Sequence, residues 1–110
     1  MDYRARISVF GGRKISNENY NNAYNLGRLL NKNKYLVYCG GGEGVMEAVA
    51  KGVQESGGQC IGILKGISTD EMNSYIDIPI VTNMGITRNA LLAYSCDAAV
   101  AISGQYGTLS

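Results

Sequence analysis

The sequence predicts an α/β protein built on a parallel β-sheet, and three observations carry this prediction. Short apolar segments alternate with longer segments in which apolar residues recur at helical spacing. The apolar segments show no in-and-out alternation, which is typical of parallel strands covered on both faces. Glycine clusters follow three of the segments, at residues 11–12, 40–44 and 104–107. We therefore expect a three-layer, doubly wound sheet of about five strands.

The predicted elements alternate along the chain in the order of a Rossmann-like fold. Strands are expected at residues 7–10, 35–39, 60–64, 76–81 and 98–102. Helices are expected at residues 17–32, from 45 to the glycines at 57–58, in a short piece opening at 68–71, and at 87–95. Ser16 or Asn17 is expected to cap the first helix, a capping box begins at Ser68, and Thr87 caps the last helix. Pro79 favours an edge position or a strand start for its segment.

Size and charge limit the classes of function. The chain has 110 residues and 11.8 kDa, enough for one hydrophobic core, so residues 1–110 are interpreted as a single domain. Ten Lys and Arg are nearly balanced by nine Asp and Glu, for a net charge of +1. This low net charge argues against nucleic-acid binding. The absence of His excludes imidazole-dependent nucleophiles and the commonest zinc ligands, so no metal site is predicted. The apolar runs are shorter than the ~20 residues of a membrane span.

The cysteines and the last residues of the chain support two further expectations. Cys39, Cys60 and Cys96 lie in or beside apolar segments without a CxxC spacing, which indicates reduced, buried thiols in a cytoplasmic protein. Residues 108–110 resemble the first turn of a helix. Because a buried last strand in such a sheet is normally followed by a covering helix, we expect a C-terminally truncated domain.

The glycine clusters predict a phosphate site. Ligands of open parallel sheets bind outside the carboxyl ends of the strands, where glycine lets backbone N–H groups approach an anion and the next helix adds its positive end. The candidate ligand-binding residues are Gly11, Gly12, Gly40, Gly41, Gly42, Gly44, Arg88, Gly104, Gly107 and Thr108. The alternative is that glycine only permits tight turns. A dinucleotide motif is incomplete, because Glu47 stands where its third glycine is required, and no P-loop motif occurs.

Charged and aromatic side chains near these loops have alternative roles. Arg88, at a helix start, either balances an anionic ligand or points to solvent or to Asp97. Arg13 and Lys14 either reach the same edge or are ordinary surface charges, and Lys65 suits another phosphate better than a ribose diol.

Two further interpretations stay open at the loops. Glu43 and Glu47 are the nearest acid–base candidates, although Glu43 also fits a role in complementing the helix dipole. Tyr106 either stacks on a base or packs against the protein.

Three segments of the chain resemble a known superfamily. They read CGGGEGVM at residues 39–46, MGITRN at 84–89 and SGQYGTLS at 103–110. In order and spacing they are similar to the LONELY GUY-like (SLOG) Rossmann superfamily, over nearly the whole chain. The resemblance is strongest to the branch near the molybdenum cofactor carrier proteins, and it extends to the lysine-decarboxylase-like phosphoribohydrolases that activate cytokinins.

The resemblance implies a protein that binds or carries a nucleotide or a molybdopterin-type cofactor, with no cofactor required and a homodimeric or homotetrameric assembly. It implies as the alternative a nucleoside 5′-monophosphate phosphoribohydrolase, in which Arg88 is catalytic. Ser103 and Gln105 depart from the family's PGGxGTxxE motif, and Asn89 replaces a lysine. The glutamate of that motif would follow Ser110, so we expect no hydrolysis by the 110-residue form.

Overall fold

The computed structural model describes residues 2–102, which form a five-stranded parallel sheet with helices on its two faces. The strands are β1 (Ala5–Gly11), β2 (Tyr35–Cys39), β3 (Cys60–Leu64), β4 (Ile78–Val81) and β5 (Ala98–Ile102). The helices are α1 (Asn17–Lys32), α2 (Val45–Glu55) and α3 (Arg88–Ser95), the last preceded by a 3₁₀ turn at Gly85–Thr87. The strand order is β4-β3-β2-β1-β5, with every neighbouring pair parallel. The predicted α/β, Rossmann-like class is confirmed.

Alternate residues of the strands face two different helix layers. Val9, Val37 and Cys60 belong to a large buried cluster that includes the apolar residues of α1 and α2. Ile61 and Ile63 point to the other face, where they form a smaller cluster with Leu92 of α3. This alternation follows from the period of two in a β-strand. None of the helices in residues 2–102 is long and apolar enough to cross a membrane.

The ends of α1 and α2 follow the sequence signals. Ser16 is the N-cap of α1, and its side-chain oxygen accepts a hydrogen bond from the Asn19 backbone N–H. At the end of α2, Gly57 has a φ of +96°, and the Gly57 and Gly58 N–H groups donate to the carbonyls of Gln54 and Val53. This is a Schellman motif, which needs a residue that tolerates positive φ.

One predicted helix, one predicted capping side chain and two strand boundaries were wrong. β1 runs over Ala5–Gly11, beyond the predicted residues 7–10. Residues 68–71 form turns, because the Ser68 hydroxyl accepts from the Asp70 N–H, two residues on, and does not cap a helix. The side chain of Thr87 does not cap α3, since its hydroxyl bonds back to the Met84 carbonyl. β4 is shorter than residues 76–81 because Ile76 turns into the core. Pro79 does lie on an edge strand, as predicted.

Candidate functional site

The cleft that the topology predicts lies at the carboxyl ends of the central strands. β1 pairs with β2 on one side and with β5 on the other, so the strand order reverses at β1. Loops leaving the strands on either side of such a reversal separate and open a crevice. The cleft is lined by the ends of β1, β3 and β5, the loops that follow β1, β2 and β3, and the start of α3.

The glycines after β1 and β2 bring two loops into direct contact. Gly44, the N-cap of α2, has a φ of +70°, and a Cβ on it would lie 2.2 Å from the Gly12 carbonyl oxygen. That carbonyl accepts a hydrogen bond from the first N–H of α2, on Val45. Gly11, Gly12, Gly40, Gly41 and Gly42 line the cleft, whereas Gly44 is not among its lining residues. Gly44 therefore contributes by packing the loops together.

Asn73, which the sequence analysis did not single out, holds the glycine loop from behind. Its side-chain Nδ2 donates to the carbonyl oxygens of Gly41 (3.2 Å) and Gly42 (2.7 Å), and its backbone N–H donates to Gly41 (2.8 Å). Asn73 is 9% exposed and does not line the cleft. No sequence pattern marks this role, because Asn73 lies where the sequence predicted a short helix and the structure has a loop.

Arg88 lines the cleft but is largely buried, with 8% of its surface exposed. Its Nη1 donates to the carbonyl oxygens of Gly40 and Ile63, each at 2.7 Å, and so ties the ends of β2 and β3 together. A Cβ on Gly40 would lie 2.5 Å from this nitrogen. The Nε atom is buried and has no hydrogen-bond partner among the described residues. Burial lowers the pKa of the guanidinium from its usual value, yet an arginine stays charged at neutral pH.

The pairing of Arg88 with Asp97 was wrong. Asp97 accepts hydrogen bonds from the backbone N–H of Arg6 (2.8 Å) and from the Arg6 guanidinium (3.4 Å). The alternative that Arg88 points to solvent is also wrong, since the side chain is buried and its guanidinium donates to the Gly40 carbonyl. Arg88 thus places a buried positive charge at the cleft.

Further charges surround the mouth of the cleft. Arg13, Lys14 and Lys65 line it together with the carboxylates of Glu43, Asp70 and Glu71. Arg13 and Glu43 approach to 3.8 Å, and both are largely exposed, so this pair contributes little to stability.

Glu47 does not line the cleft. Its carboxylate accepts a hydrogen bond from the hydroxyl of Tyr20 at 2.8 Å, across the contact between α1 and α2. Burial, followed by this hydrogen bond, raises the pKa of Tyr20 above its ordinary range. Of the two acid–base candidates, only Glu43 faces the cleft.

The cysteines are unpaired thiols, and two of them lie under the site. Cys39 and Cys60 are buried on neighbouring strands with their sulfur atoms 3.9 Å apart, while Cys96 is half-buried. Hydrogen bonding from Cys60 lowers the pKa of the Cys39 thiol, and the same contact together with burial raises the pKa of Cys60 well above its ordinary value. None of the three is among the described residues that line the cleft.

The third glycine cluster cannot be placed in the site. Gly104, Gly107 and Thr108, together with Tyr106, lie outside the described residues. Within residues 2–102 the structure brings together the loops after β1 and β2 and the side chain of Arg88, as the sequence predicted.

Two solved structures with this fold are of proteins described as binding or carrying the molybdenum cofactor. The molybdenum cofactor binding protein of Rippkaea orientalis superposes with a TM-score of 0.88 at 34% identity, over 94% of this chain and 65% of that one. The Moco carrier protein of Chlamydomonas reinhardtii superposes with a TM-score of 0.80 at 33% identity, over 94% of this chain and 64% of that one.

Curated relatives extend the similarity to an enzyme group. An uncharacterised protein of Archaeoglobus fulgidus is 39% identical over 96% of this chain and 69% of its own length. The probable cytokinin riboside 5′-monophosphate phosphoribohydrolase LOGL1 of Oryza sativa is 34% identical over 94% of this chain and 49% of its own length. The chain thus spans about half the length of this phosphoribohydrolase and about two thirds of the cofactor-binding structures.

A family model provides the assignment. The model of the SLOG cluster4 family matches residues 4–110, which include every strand and helix of the fold. The match, the identity to the Archaeoglobus relative and the glycine-lined cleft agree with the resemblance found in the sequence motifs. This chain belongs to the SLOG cluster4 family.

Proposed function

We propose that this protein binds a phosphorylated small molecule, a nucleotide or a molybdopterin-type cofactor, in the cleft at the carboxyl ends of β1, β2 and β3. One observation carries the proposal: residues 40–43 of the glycine loop line the cleft, and the loop then leads through Gly44 directly into α2. The N-terminal end of a helix carries a partial positive charge, which favours a phosphate nearby, although the first N–H of α2, on Val45, already donates to the Gly12 carbonyl. The buried charge of Arg88 and the exposed amines of Lys14 and Lys65 add cations at the same opening.

The lining also suits a planar ring next to the phosphate. Phe10, Leu64, Met72 and Ile86 contribute apolar surface to the cleft beside these cations. Ligand sites commonly combine mainly apolar walls with a few placed polar groups. The described part of the lining holds neither His nor Cys.

A carrier role is the form of this function that the structural relatives favour. Two proteins with the same fold are described as binding or carrying the molybdenum cofactor, at 34% and 33% identity. A carrier needs a binding cleft but no group that makes or breaks bonds. Of the two carboxylates considered for acid–base work, Glu47 is engaged by Tyr20 away from the cleft, while Glu43 lines it.

Native mass spectrometry of the purified protein, without added ligand, is the first test. We expect an additional bound mass of a few hundred daltons, and its value distinguishes a nucleotide from a pterin. Where the protein arrives free of ligand, it is titrated with AMP and with pyrophosphate. Absence of saturable binding to either probe, together with the absence of a co-purified ligand, would contradict the proposal.

A charge-specific variant pair locates the binding. A Cβ on Gly42 would meet only the flexible end of the Met46 side chain, at 2.9 Å, so substitution here is compatible with folding. Gly42→Asp and Gly42→Asn add side chains of the same size, but only Asp repels a phosphate. We expect Gly42→Asp to bind AMP at least tenfold more weakly than Gly42→Asn, with both circular dichroism spectra native-like. Equal affinities would place the phosphate elsewhere.

Hydrolysis of a nucleoside 5′-monophosphate is the second candidate, favoured by the 34–36% identity to cytokinin riboside phosphoribohydrolases. In this reaction water replaces the base at the N-glycosidic carbon, which releases the free base and ribose 5-phosphate. The buried guanidinium of Arg88 would stabilise negative charge on the substrate, while an oxocarbenium-like transition state forms at the sugar. Incubation with AMP followed by chromatography tests it in a form of the protein that carries the motif's glutamate after residue 110, since the 110-residue form is expected not to hydrolyse. Adenine release that is lost in Arg88→Gln supports the enzyme, and its absence over a panel of monophosphates removes this candidate.

A further inference from the structure

One side chain outside the cleft lining, that of Asn73, determines which way two carbonyl groups of the glycine loop point. Asn73 directs three hydrogen bonds at two consecutive carbonyls, those of Gly41 and Gly42. Its own Oδ1 accepts the Tyr75 backbone N–H at 2.9 Å, which orients the amide so that Nδ2 points at the loop. With 9% exposure, the side chain is held by its neighbours on all sides.

Because peptide groups are planar, this contact also determines where two backbone N–H groups of the loop point. In a trans peptide, the C=O of one residue and the N–H of the next point in opposite directions. Because the Gly41 and Gly42 carbonyls face Asn73, the N–H groups of Gly42 and Glu43 point away from it. The Gly42 N–H reaches Met46 Sδ at 3.4 Å, and Met46 lines the cleft. The Glu43 N–H has no hydrogen-bond partner among the described residues.

We propose that Asn73 is the positioning residue of the anion site: it turns the carbonyls of Gly41 and Gly42 out of the cleft and thereby presents the N–H groups of Gly42 and Glu43 to a phosphate. This inference rests on the proposed function, since it assigns a role to Asn73 at that same site. Without the clamp, the Gly41–Gly42 and Gly42–Glu43 peptides are able to rotate and expose carbonyl oxygens, which repel an anion. Asn73 itself does not contact the ligand.

Asn73→Asp tests the clamp with almost no change in size. The carboxylate still accepts the Tyr75 N–H, but it places an oxygen where Nδ2 donated to the two carbonyls. Asn31→Asp is the matched control, because Asn31 Nδ2 also donates to a backbone carbonyl, that of Ser56 at 3.2 Å, outside the cleft lining. Asn73→Ser, compared with Asn31→Ser, replaces this pair where Asn73→Asp fails to fold.

Binding of AMP and of pyrophosphate is measured by calorimetry, and the backbone amides are followed by NMR. We expect Asn73→Asp to weaken both ligands at least tenfold, whereas Asn31→Asp changes their affinity less than twofold. In the wild type, pyrophosphate should shift the Glu43 amide resonance, and the shift should be lost in Asn73→Asp. A residue that merely stabilises the fold would lower the melting temperature without this selective loss.

The outcomes separate the inference from the proposed function. Wild-type affinity in a folded Asn73 variant, with the Glu43 shift intact, overturns the positioning role and leaves the ligand site standing. Failure of the wild type to bind either probe saturably overturns both.

Discussion

The two faces of the sheet are covered by different means. On one face, α1 and α2 pack over the largest buried cluster, and their backbones touch at glycines: a Cβ on Gly27 would lie 2.2 Å from the Val49 carbonyl oxygen. On the other face, the apolar cluster is smaller: α3 buries Leu92 against Ile61 and Ile63, with Leu91 partly buried beside them, and polar contacts add to this packing. The Ser8 hydroxyl donates to the Leu92 carbonyl at 2.7 Å, and Arg88 bonds to the ends of β2 and β3.

This difference relates packing to function. Close apolar packing gives the α1–α2 layer its stability, since interiors at crystal-like density tolerate little change in volume. The α3 layer is smaller and brings a buried charge to the ligand cleft. The glycine loop and Arg88 lie where the two layers meet at the carboxyl edge of the sheet, so α2 contributes a helix N-terminus and α3 a cation.

The largest loss of stability is expected where the helix backbones touch. In Gly27→Ala the new methyl group meets a backbone carbonyl, so α1 and α2 must separate. We expect a loss of about 2–3 kcal/mol, or roughly 10–20 °C in melting temperature for a domain of this size. Thermal unfolding followed by circular dichroism measures the change.

Gly66→Ala is the control for this substitution. A Cβ at Gly66 meets nothing within 4 Å, so its stability should stay within about 0.5 kcal/mol of wild type. Similar melting temperatures for Gly27→Ala and Gly66→Ala would show that the α1–α2 contact is not the tight one described.

The next largest loss of stability is expected at Arg88, on the α3 side of the sheet. Arg88→Met keeps the length of the side chain but leaves the carbonyls of Gly40 and Ile63 without their donor. Loss of these bonds, offset in part because a charge no longer has to be buried, should cost about 1–2 kcal/mol. Urea unfolding measures it as a lower midpoint at unchanged slope. Arg28→Met, at a half-buried arginine over the Tyr24 ring, should change stability by less than this. The opposite order would mean that Arg88 is not a clamp.

Sequence patterns predicted the α1–α2 side of the molecule better than the α3 side. The apolar spacing of α1 and α2, the Ser16 cap and the glycines after α2 all act between residues that are close in sequence, so local rules describe them. Parallel strands with glycine at their carboxyl ends were enough to place the cleft, because topology brings those ends to one edge.

The missed features depend on contacts between distant residues. Arg88 bonds to carbonyls 48 and 25 residues away, and every residue has a carbonyl, so no sequence pattern marks such a partner. The segment from Ser68 matched a capping box, but the chain there must bring Asn73 to the glycine loop and Ile76 into the core. These tertiary contacts override the local helix signal.

A smaller effect is expected from the hydrogen bond between the two packed helices. Tyr20→Phe removes the part-buried bond to Glu47 and should cost about 0.5–1.5 kcal/mol. Because the pKa of Tyr20 is raised, the folded chain holds this proton more tightly than the unfolded chain. The stabilisation is complete below about pH 10, the ordinary pKa of tyrosine, and is lost as pH rises through the folded value.

Stability measured from pH 8 upward checks this sign. Wild type should lose stability above about pH 10 more steeply than Tyr20→Phe does. Tyr24→Phe is the matched control, because Tyr24 makes the same kind of bond to Glu55 on α2 at an exposed position. Identical pH curves for Tyr20→Phe and wild type would contradict the role of Tyr20.

The smallest effect is expected at the exposed pair that joins the starts of β1 and β5. The Arg6 backbone N–H, followed by its guanidinium, holds the pKa of Asp97 below its ordinary value. The resulting stabilisation is present above the ordinary pKa of aspartate and is lost as pH falls through the folded value. Arg6→Gln removes only the side-chain contribution, so Asp97 should still titrate below an ordinary aspartate, although less far below than in wild type. Carboxyl carbon NMR measures the titration directly. An ordinary Asp97 pKa in Arg6→Gln would show that the guanidinium, and not the backbone N–H, is the main cause, and the α3 side would then depend on side-chain charge at both of its ends.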